Sequence, residues 1–232
     1  MEVLTKTPEK LVLRTSIGYP LANAIRRSVE EIPALAIDEV EIFKNDSALY
    51  DEVLAHRLGL IPLKTDSKMN EKTSIDLTIK KKGPGKVYSG DLEGGAKIIY
   101  DNIPITLLED KQEIEVICTA RLGKGTEHAK YVPGLVYYRH LTEIKSGNSH
   151  IDKIVENSKG LIKPEKKGSK WICDLNESEI DDIKKIGEDN IKDSEEILIF
   201  VESFGHMDAE KIILAAVERL EDNLIDFEKN IK

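Results

Sequence analysis

Cysteine and aromatic residues are scarce in this chain of 232 residues: two Cys, one Trp, four Phe and seven Tyr, with aromatics at 5%. Two distant cysteines cannot build a disulfide framework, and without an export signal they point to a reducing cytoplasm. Also missing is any apolar run near the ~20 residues that a membrane span requires. The opening MEVLTKTPEK has no apolar core of a signal peptide. There is no cationic surplus either: 34 Lys and Arg against 43 Asp and Glu leave a net charge of −9. That balance argues against a dedicated nucleic-acid binder, although a local basic patch stays open. No HExxH, no paired DxD in a suitable loop and no nucleotide-binding glycine fingerprint occurs. The loop KKGPGK lacks the GK[ST]-helix context of a P-loop. It reads as a hairpin tip, whose lysines could approach a phosphate backbone. The histidines, at 56, 128, 140, 150 and 206, have no ligand-pair spacing, and His128 reads as structural.

What is present is an aliphatic core. Hydrophobic residues make up 40% of the chain, and with few aromatics the interior must be built from Ile, Leu and Val. The richest stretch runs from Pro20 to Asp66. At about 100° per residue, Leu21, Ala24, Ile25, Ser28, Val29 and Ile32 share one stripe of a helix. Asn23, Arg26 and Glu30 lie opposite, with Arg27 and Glu31 on a flank. Pro20 suits the first turn and Pro33 stops the helix. AIDEVEIF then reads as a strand, with Val40 and Ile42 on one face and Ile37 and Phe43 on the other. A short helix over Tyr50 to Leu58 buries Leu54 and Leu58, with Gly59 where a left-handed cap is wanted and Pro62 beyond it.

Around this block lie strands. Lys10 to Thr15 forms one. TSIDLTIK alternates, with Ile75, Leu77 and Ile79 on one face. EIEVICTARL places Ile114, Val116, Cys118, Ala120 and Leu122 together. The stretch from Thr65 to His140 therefore reads as a β-rich insertion. From Ser146 to Glu196 order weakens, and Glu177 to Glu196 holds nine acids against three lysines. Within it Asn176 and Glu179 predict a capping box for a helix carrying Ile180, Ile183 and Ile186 and closed by Gly187. A small third subdomain or a partly ordered excursion would both fit.

The chain ends on EILIFVES, a nearly continuous apolar strand whose two faces should both be covered. A long helix follows from about Asp208. Ile213, Val217, Leu220, Leu224, Phe227 and Ile231 recur at spacings of 4, 3, 4, 3 and 4, a heptad seam for another helix. Lys211, Glu218, Asp222 and Lys229 occupy its far side. The seam could cover the chain's own sheet, yet its strict period and terminal position favour a partner.

NAIRR at 23–27, AIDEVEI at 36–42, DEVLAHRLGLIPL at 51–63, GTEHAKYVPG at 125–134 and VESFG before the last helix carry a resemblance. In that order they are similar to the archaeal RNA polymerase D-subunit family, related to the bacterial alpha subunit and the third subunit of eukaryotic RNA polymerase II. The resemblance covers nearly the whole chain. It implies an α+β fold with a discontinuous dimerisation domain, residues 1–44 and 195–232. A β-rich domain, 45–145, is inserted, and a small third subdomain, 146–194, lacks metal ligands. It implies a non-catalytic cytoplasmic assembly subunit that pairs with subunit L and docks the large catalytic and other small polymerase subunits. DNA is met only through the complex, and no membrane is involved.

The interface with subunit L is then expected at Leu21, Ile25, Val29, Ile213, Val217, Leu220, Leu224 and Phe227. In relatives the second arginine of the NAIRR motif faces a large subunit, which implies the same for Arg27. Arg26, also off the apolar face, is a candidate beside it. The bland alternative for Arg27 is an intrahelical pair with Glu31, which would stabilise by only ~0.3–0.5 kcal/mol. Asp51, Glu52, His56 and Arg57 are candidates for the same contact or ordinary solvated residues. Some relatives bind iron–sulfur clusters or zinc through grouped cysteines. Here Cys118 lies on an apolar strand face and Cys173 is alone in its region, so neither cofactor is expected. Two other readings remain: a homodimer using the same helix, and a small enzyme built on scattered acids such as Asp38, Glu39 and Asp51. Nothing pairs those acids with a nucleophile or ligand set.

Overall fold

A computed structural model describes residues 1–231, the side chain of residue 188 apart. The chain opens with strands β1 (Glu2–Lys6) and β2 (Lys10–Thr15), then helix α1 (Tyr19–Ser28), which a 3-10 turn, Val29–Glu31, extends. β3 (Ala34–Asn45), α2 (Asp51–Gly59), β4 (Ser74–Lys82), β5 (Gly85–Tyr88), β6 (Glu93–Gly94), β7 (Pro104–Leu108) and β8 (Glu113–Gly123) follow. Next come β9 (Gly134–Lys145), α3 (Ser149–Glu156), β10 (Glu165–Lys167), β11 (Lys170–Cys173) and α4 (Glu177–Ile186). β12 (Ile191–Ser203) and α5 (Ala209–Ile231) close the chain. The architecture is α+β, and every strand pairing is antiparallel.

Three sheets result. The first, ordered β1-β2-β12-β9-β11-β10, joins both ends of the chain. The second is β3-β8-β4-β6, and β5-β7 form a ribbon. β3 therefore belongs with the inserted strands and β9 with the first sheet, on either side of the expected boundaries at 44/45 and 145/146. The hydrophobic alternation of these strands suits either sheet; only the pairing of β3 with β8 and of β9 with β12 assigns them.

β12 covers both of its faces, as its continuous apolar run requires. Ile197, Ile199 and Val201 meet α1 and α5, while Leu198 and Phe200 meet Val12, Leu141 and Ile162 on the other side. In the second sheet Ile114, Val116, Cys118 and Ala120 line the core with Leu54 and Leu58 of α2. β3 departs from the alternation predicted for it. Ile37, Val40 and Ile42 all face this core, because a register shift between Ile37 and Glu39 reverses the parity, and Phe43 is left exposed. Gly59 is the last residue of α2 rather than a left-handed cap; Leu60 (φ −88°, ψ 0°) caps the helix. Residues 83–84 link β4 to β5 across two sheets, so KKGPGK is not the tip of a simple hairpin.

The region 146–190 is built onto the first sheet. β11 pairs with β9, and Ile151, Val155, Trp171, Cys173, Leu175 and Ile183 form a small core with Ile144. The capping box of α4 is present: Asn176 Oδ1 accepts from Glu179 N, and Glu179 Oε2 accepts from Asn176 N, both at 2.9 Å. Gly187 follows the helix in extended backbone instead of the left-handed form (φ 170°). Arg14 ties this region to the sheet. Its guanidinium forks onto Glu165 at 2.6 and 2.9 Å and reaches Glu196 at 2.6 Å. The hydrogen bonds from Arg14 hold Glu165 below the usual carboxylate range.

Candidate subunit interface

α1 and α5 lie side by side on the first sheet. Ala22, Ile25 and Val29 face Ala209, Ile212 and Ala216, and the small alanines let the two helices approach. Gly134, at the start of β9, lets α5 settle onto the sheet: a Cβ there would collide with Glu202 O of β12 and with Ile212 Cδ1 of α5. Asn223 Nδ2 donates to Glu31 Oε2 at 2.8 Å, fastening the middle of α5 to the 3-10 turn that follows α1.

This packing divides the expected partner residues. Ile25 and Val29 are buried in the chain's own core, so they hold α5 and present nothing to another surface. Ile213 and Leu220 are half-buried against the same core. Leu21, Val217, Leu224 and Phe227 stand exposed, at 47%, 44%, 61% and 65%. Every residue from Glu221 to Ile231 is exposed. Leu214 and Ile225 are also exposed; the heptad count missed them because they fall outside its period, and exposed apolar residues beside the seam were the available signal, while Tyr19 of α1 is half-exposed with its ring against Tyr138 and His140.

Arg26 donates from Nε and Nη2 to Asn23 Oδ1, at 3.1 and 3.0 Å. Arg27 is exposed and makes no hydrogen bond or ion pair among the described residues. Its alternative partner Glu31 is bonded to Asn223 instead. On α2, Asp51 Oδ1 accepts from Asn45 Nδ2 at 2.8 Å, and Arg57 Nη2 donates to Pro104 O at 2.6 Å. Glu52 and His56 are exposed beside Tyr50, Val53 and Leu60.

The GTEHAKYVPG and AIDEVEI blocks meet at Asp38, which neither block predicted by itself. Asp38 Oδ1 accepts from Lys130 Nζ and from Tyr131 OH, both at 2.9 Å. The Lys130 bond, then the Tyr131 bond, hold its carboxyl below the usual range. His128 caps the same turn, its Nδ1 accepting from Lys130 N at 3.1 Å, a structural role as expected. The acids considered for an enzyme are tied to other partners: Asp38 to Lys130 at 2.9 Å and to Arg121 at 3.9 Å, Glu39 to the same Arg121 at 3.1 Å, and Asp51 to Asn45. Lys81 and Lys82 of the KKGPGK loop pair with Asp91 and Glu113, and Lys80 before them with Glu115, whereas Lys86 is exposed and makes no ion pair among the described residues.

His206 locks the junction of the two units. It is 3% exposed, with Nδ1 at 3.0 Å from Leu63 O, and its own carbonyl accepts from Thr65 N at 2.9 Å. Burial pushes its pKa down. Among the described residues, no three His, Cys, Asp or Glu side chains gather as a metal site. Cys118 and Cys173 sit in separate apolar cores, each thiol pushed up to about 12 by burial, so neither is a ready thiolate ligand. No described helix is long and apolar enough to cross a membrane.

The inserted sheet and its flanking helix define a class. The family described as RNA polymerase Rpb3/RpoA insert domain matches residues 37–134, and that segment carries β3 to the start of β9. Relatives extend the match along the chain. The DNA-directed RNA polymerase subunit Rpo3 of Thermococcus kodakarensis is 42% identical over 166 residues, 66% of this chain and 62% of that protein. The subunit of the same name from Methanocaldococcus jannaschii is 34% identical over 168 residues, 68% of this chain and 87% of that protein. That of Halobacterium salinarum is 34% identical over 226 residues, covering 94% of this chain and 90% of the relative. The chain belongs to the archaeal DNA-directed RNA polymerase subunit Rpo3 family.

Proposed function

We propose that this chain is a non-catalytic assembly subunit of an archaeal DNA-directed RNA polymerase. The observation that carries the reading is the outer half of α5. It holds Leu224, Ile225, Phe227 and Ile231 at 43–69% exposure with none of the chain's own core beneath them. Over its 23 residues the helix spans about 35 Å, and every residue of its outer half, from Glu221 to Ile231, is exposed. An apolar face of that kind is stable in water when another chain buries it. Subunit L takes that place, seated on Leu21, Val217, Leu224 and Phe227 with Leu214 and Ile225 at the rim. Arg27 and the polar face of α2, Asp51, Glu52, His56 and Arg57, then meet the large catalytic subunits. Nucleotidyl transfer belongs to those subunits, and this chain holds neither cluster nor zinc. It works in the cytoplasm and meets DNA only within the complex.

Co-expression with the cognate subunit L, followed by size-exclusion chromatography with light scattering, tests this. A stable one-to-one complex is the expected result. A folded chain that stays monomeric beside subunit L would overturn it.

A further inference from the structure

Residues 145–170 are basic within an acidic chain. They hold seven lysines against Asp152, Glu156 and Glu165, while the whole chain carries −9. Strand pairing gathers several of these lysines on one side of the first sheet. Lys145 on β9 lies opposite Lys170 on β11, and Lys170 lies opposite Lys167 on β10. Directly paired residues point to the same side, so the three form a row. Lys192 on β12 shares that side, because its partner Glu143 stands two residues from Lys145. Ile144 and Trp171, which alternate with the lysines, point the other way into the core with α3 and α4. α4 enters that core through Ile183, so the sheet separates its acids from the lysines. Acids on the lysine side are held one by one. Glu143 pairs with Lys170 at 2.7 Å and Glu196 with Lys167 at 2.8 Å; Glu2 and Glu165 lie on Arg14, and Asp174 on Arg139. Ile162 anchors the segment between α3 and β10 on this same side, against Leu141 and Ile172. Lys159 and Lys163 of that segment, with Lys145 and Lys192, are exposed and make no hydrogen bond or ion pair among the described residues.

We propose that this lysine strip, on the side of the first sheet away from α1 and α5, binds the phosphate backbone of a nucleic acid. From β12 to β10 it crosses four strands, about 14 Å, the axial span of about four phosphates on one strand of B-DNA. Lysine is a point charge that suits phosphate oxygens without reading bases, so the contact is independent of sequence. Lysine is depleted at protein–protein interfaces, which need an apolar centre. Among the described residues from 138 to 203, the exposed large apolar side chains are Leu161 and Ile186. Lysines on an edge strand also guard it against pairing with another sheet. That purpose accounts for Lys166 and Lys167 on β10; Lys145 and Lys192 lie on inner strands, and Lys159 and Lys163 lie off the sheet. The binding is weak and acts within the assembled polymerase, where tethering raises the local concentration of nucleic acid. It does not depend on how subunit L is seated.

Fluorescence anisotropy of the full chain across a salt series tests this, with labelled duplex DNA, single-stranded RNA and polyglutamate as probes. Wild type should bind a nucleic acid with log K falling against log salt at a slope of about −3 to −4. K145Q/K163Q/K192Q removes three uncommitted charges from the strip; it should weaken binding about tenfold at low salt and flatten the slope by about 2 to 3. K68Q/K72Q/K97Q removes three exposed lysines from the inserted unit and should stay within about twofold of wild type. Loss of the duplex or of the RNA in the strip variant supports the proposal and names the nucleic acid. Equal effects of the two triple variants overturn it, because net charge alone would then explain binding. Absence of salt-dependent binding by the folded wild-type chain overturns it, as does tighter binding of polyglutamate than of either nucleic acid. Failure of the chain to pair with subunit L would strike the scaffold reading and leave this result unaffected.

Discussion

The inserted sheet and the helix-covered sheet are built by the same rules and finish differently. In the insert, Leu54 and Leu58 of α2 close over Leu77, Ile79, Ile114, Val116 and Cys118, and all of these are fully buried. In the first sheet, α1 and the inner half of α5 close over Leu11, Leu13, Ile199 and Val201, but α5 then runs on past its support. The insert is a finished core, while the helical layer is half of one. Amphipathic periodicity says how a face is made and not whether its own chain is large enough to cover it.

The contrast can be broken most severely inside the insert. Leu54→Ala should cost about 2–5 kcal/mol of chain stability, because a fully packed site collapses poorly around a cavity. Denaturant unfolding of the isolated chain measures it; a loss under about 1 kcal/mol would mean that this core is less closed than its burial implies. Leu224→Asp probes the unfinished half. It should leave the unfolding of the isolated chain within about 0.5 kcal/mol and weaken subunit L binding by about 3 kcal/mol, because a buried, unpaired carboxylate is introduced only in the complex. Leu220→Asp is the sharper control. Leu220 is half-buried on the chain's own core, so this variant should harm both fold and complex.

The junction between the units should respond to pH. Burial lowers the pKa of His206 beneath its ordinary 6.5, so the folded chain prefers the neutral ring. The unfolded chain then binds more protons as pH falls below 6.5, and stability present above that value is progressively lost down to the folded pKa. His206→Asn should flatten this part of the stability profile, read by thermal unfolding between about pH 5 and 8. An unchanged profile would assign the dependence to other groups. The smallest effect on the chain itself belongs to Arg27→Ala. An exposed side chain without partners among the described residues should change stability by under about 0.5 kcal/mol. The heterodimer should persist while co-purification of a large subunit falls; undiminished recovery would remove Arg27 from that contact.

The elements legible in the sequence were those that follow local rules, whereas α3, the first strand, β9 and the short strands β5 to β7, β10 and β11 carried no such signal. Pro20 and Pro33 bracket the first helix, the Asn176–Glu179 box opens α4, and the alternation from Ile114 to Ala120 marks one buried strand face. The candidate interface was legible only in part. Val217, Leu224 and Phe227 stand exposed on the expected seam, whereas Ile25 and Val29, read from the same periodicity, are sealed inside. A helical wheel gives an apolar face its width and cannot divide that width between the chain's own sheet and another molecule. The Asp38 and Arg14 clusters were invisible for a related reason: each joins residues roughly a hundred or more positions apart, and no spacing rule reaches that far.

By itself the sequence determined four of the five helices, the buried faces of β4, β8 and β12, and the family, because periodicity, caps and motif order are written in neighbouring residues. Tertiary structure alone decided which sheet receives β3 and β9, where a bulge turns Val40 and Ile42 inward, and how much of α5 its own core can cover. Those outcomes depend on pairing between distant strands and on the finite area of the first sheet, and the chain meets both only when it folds.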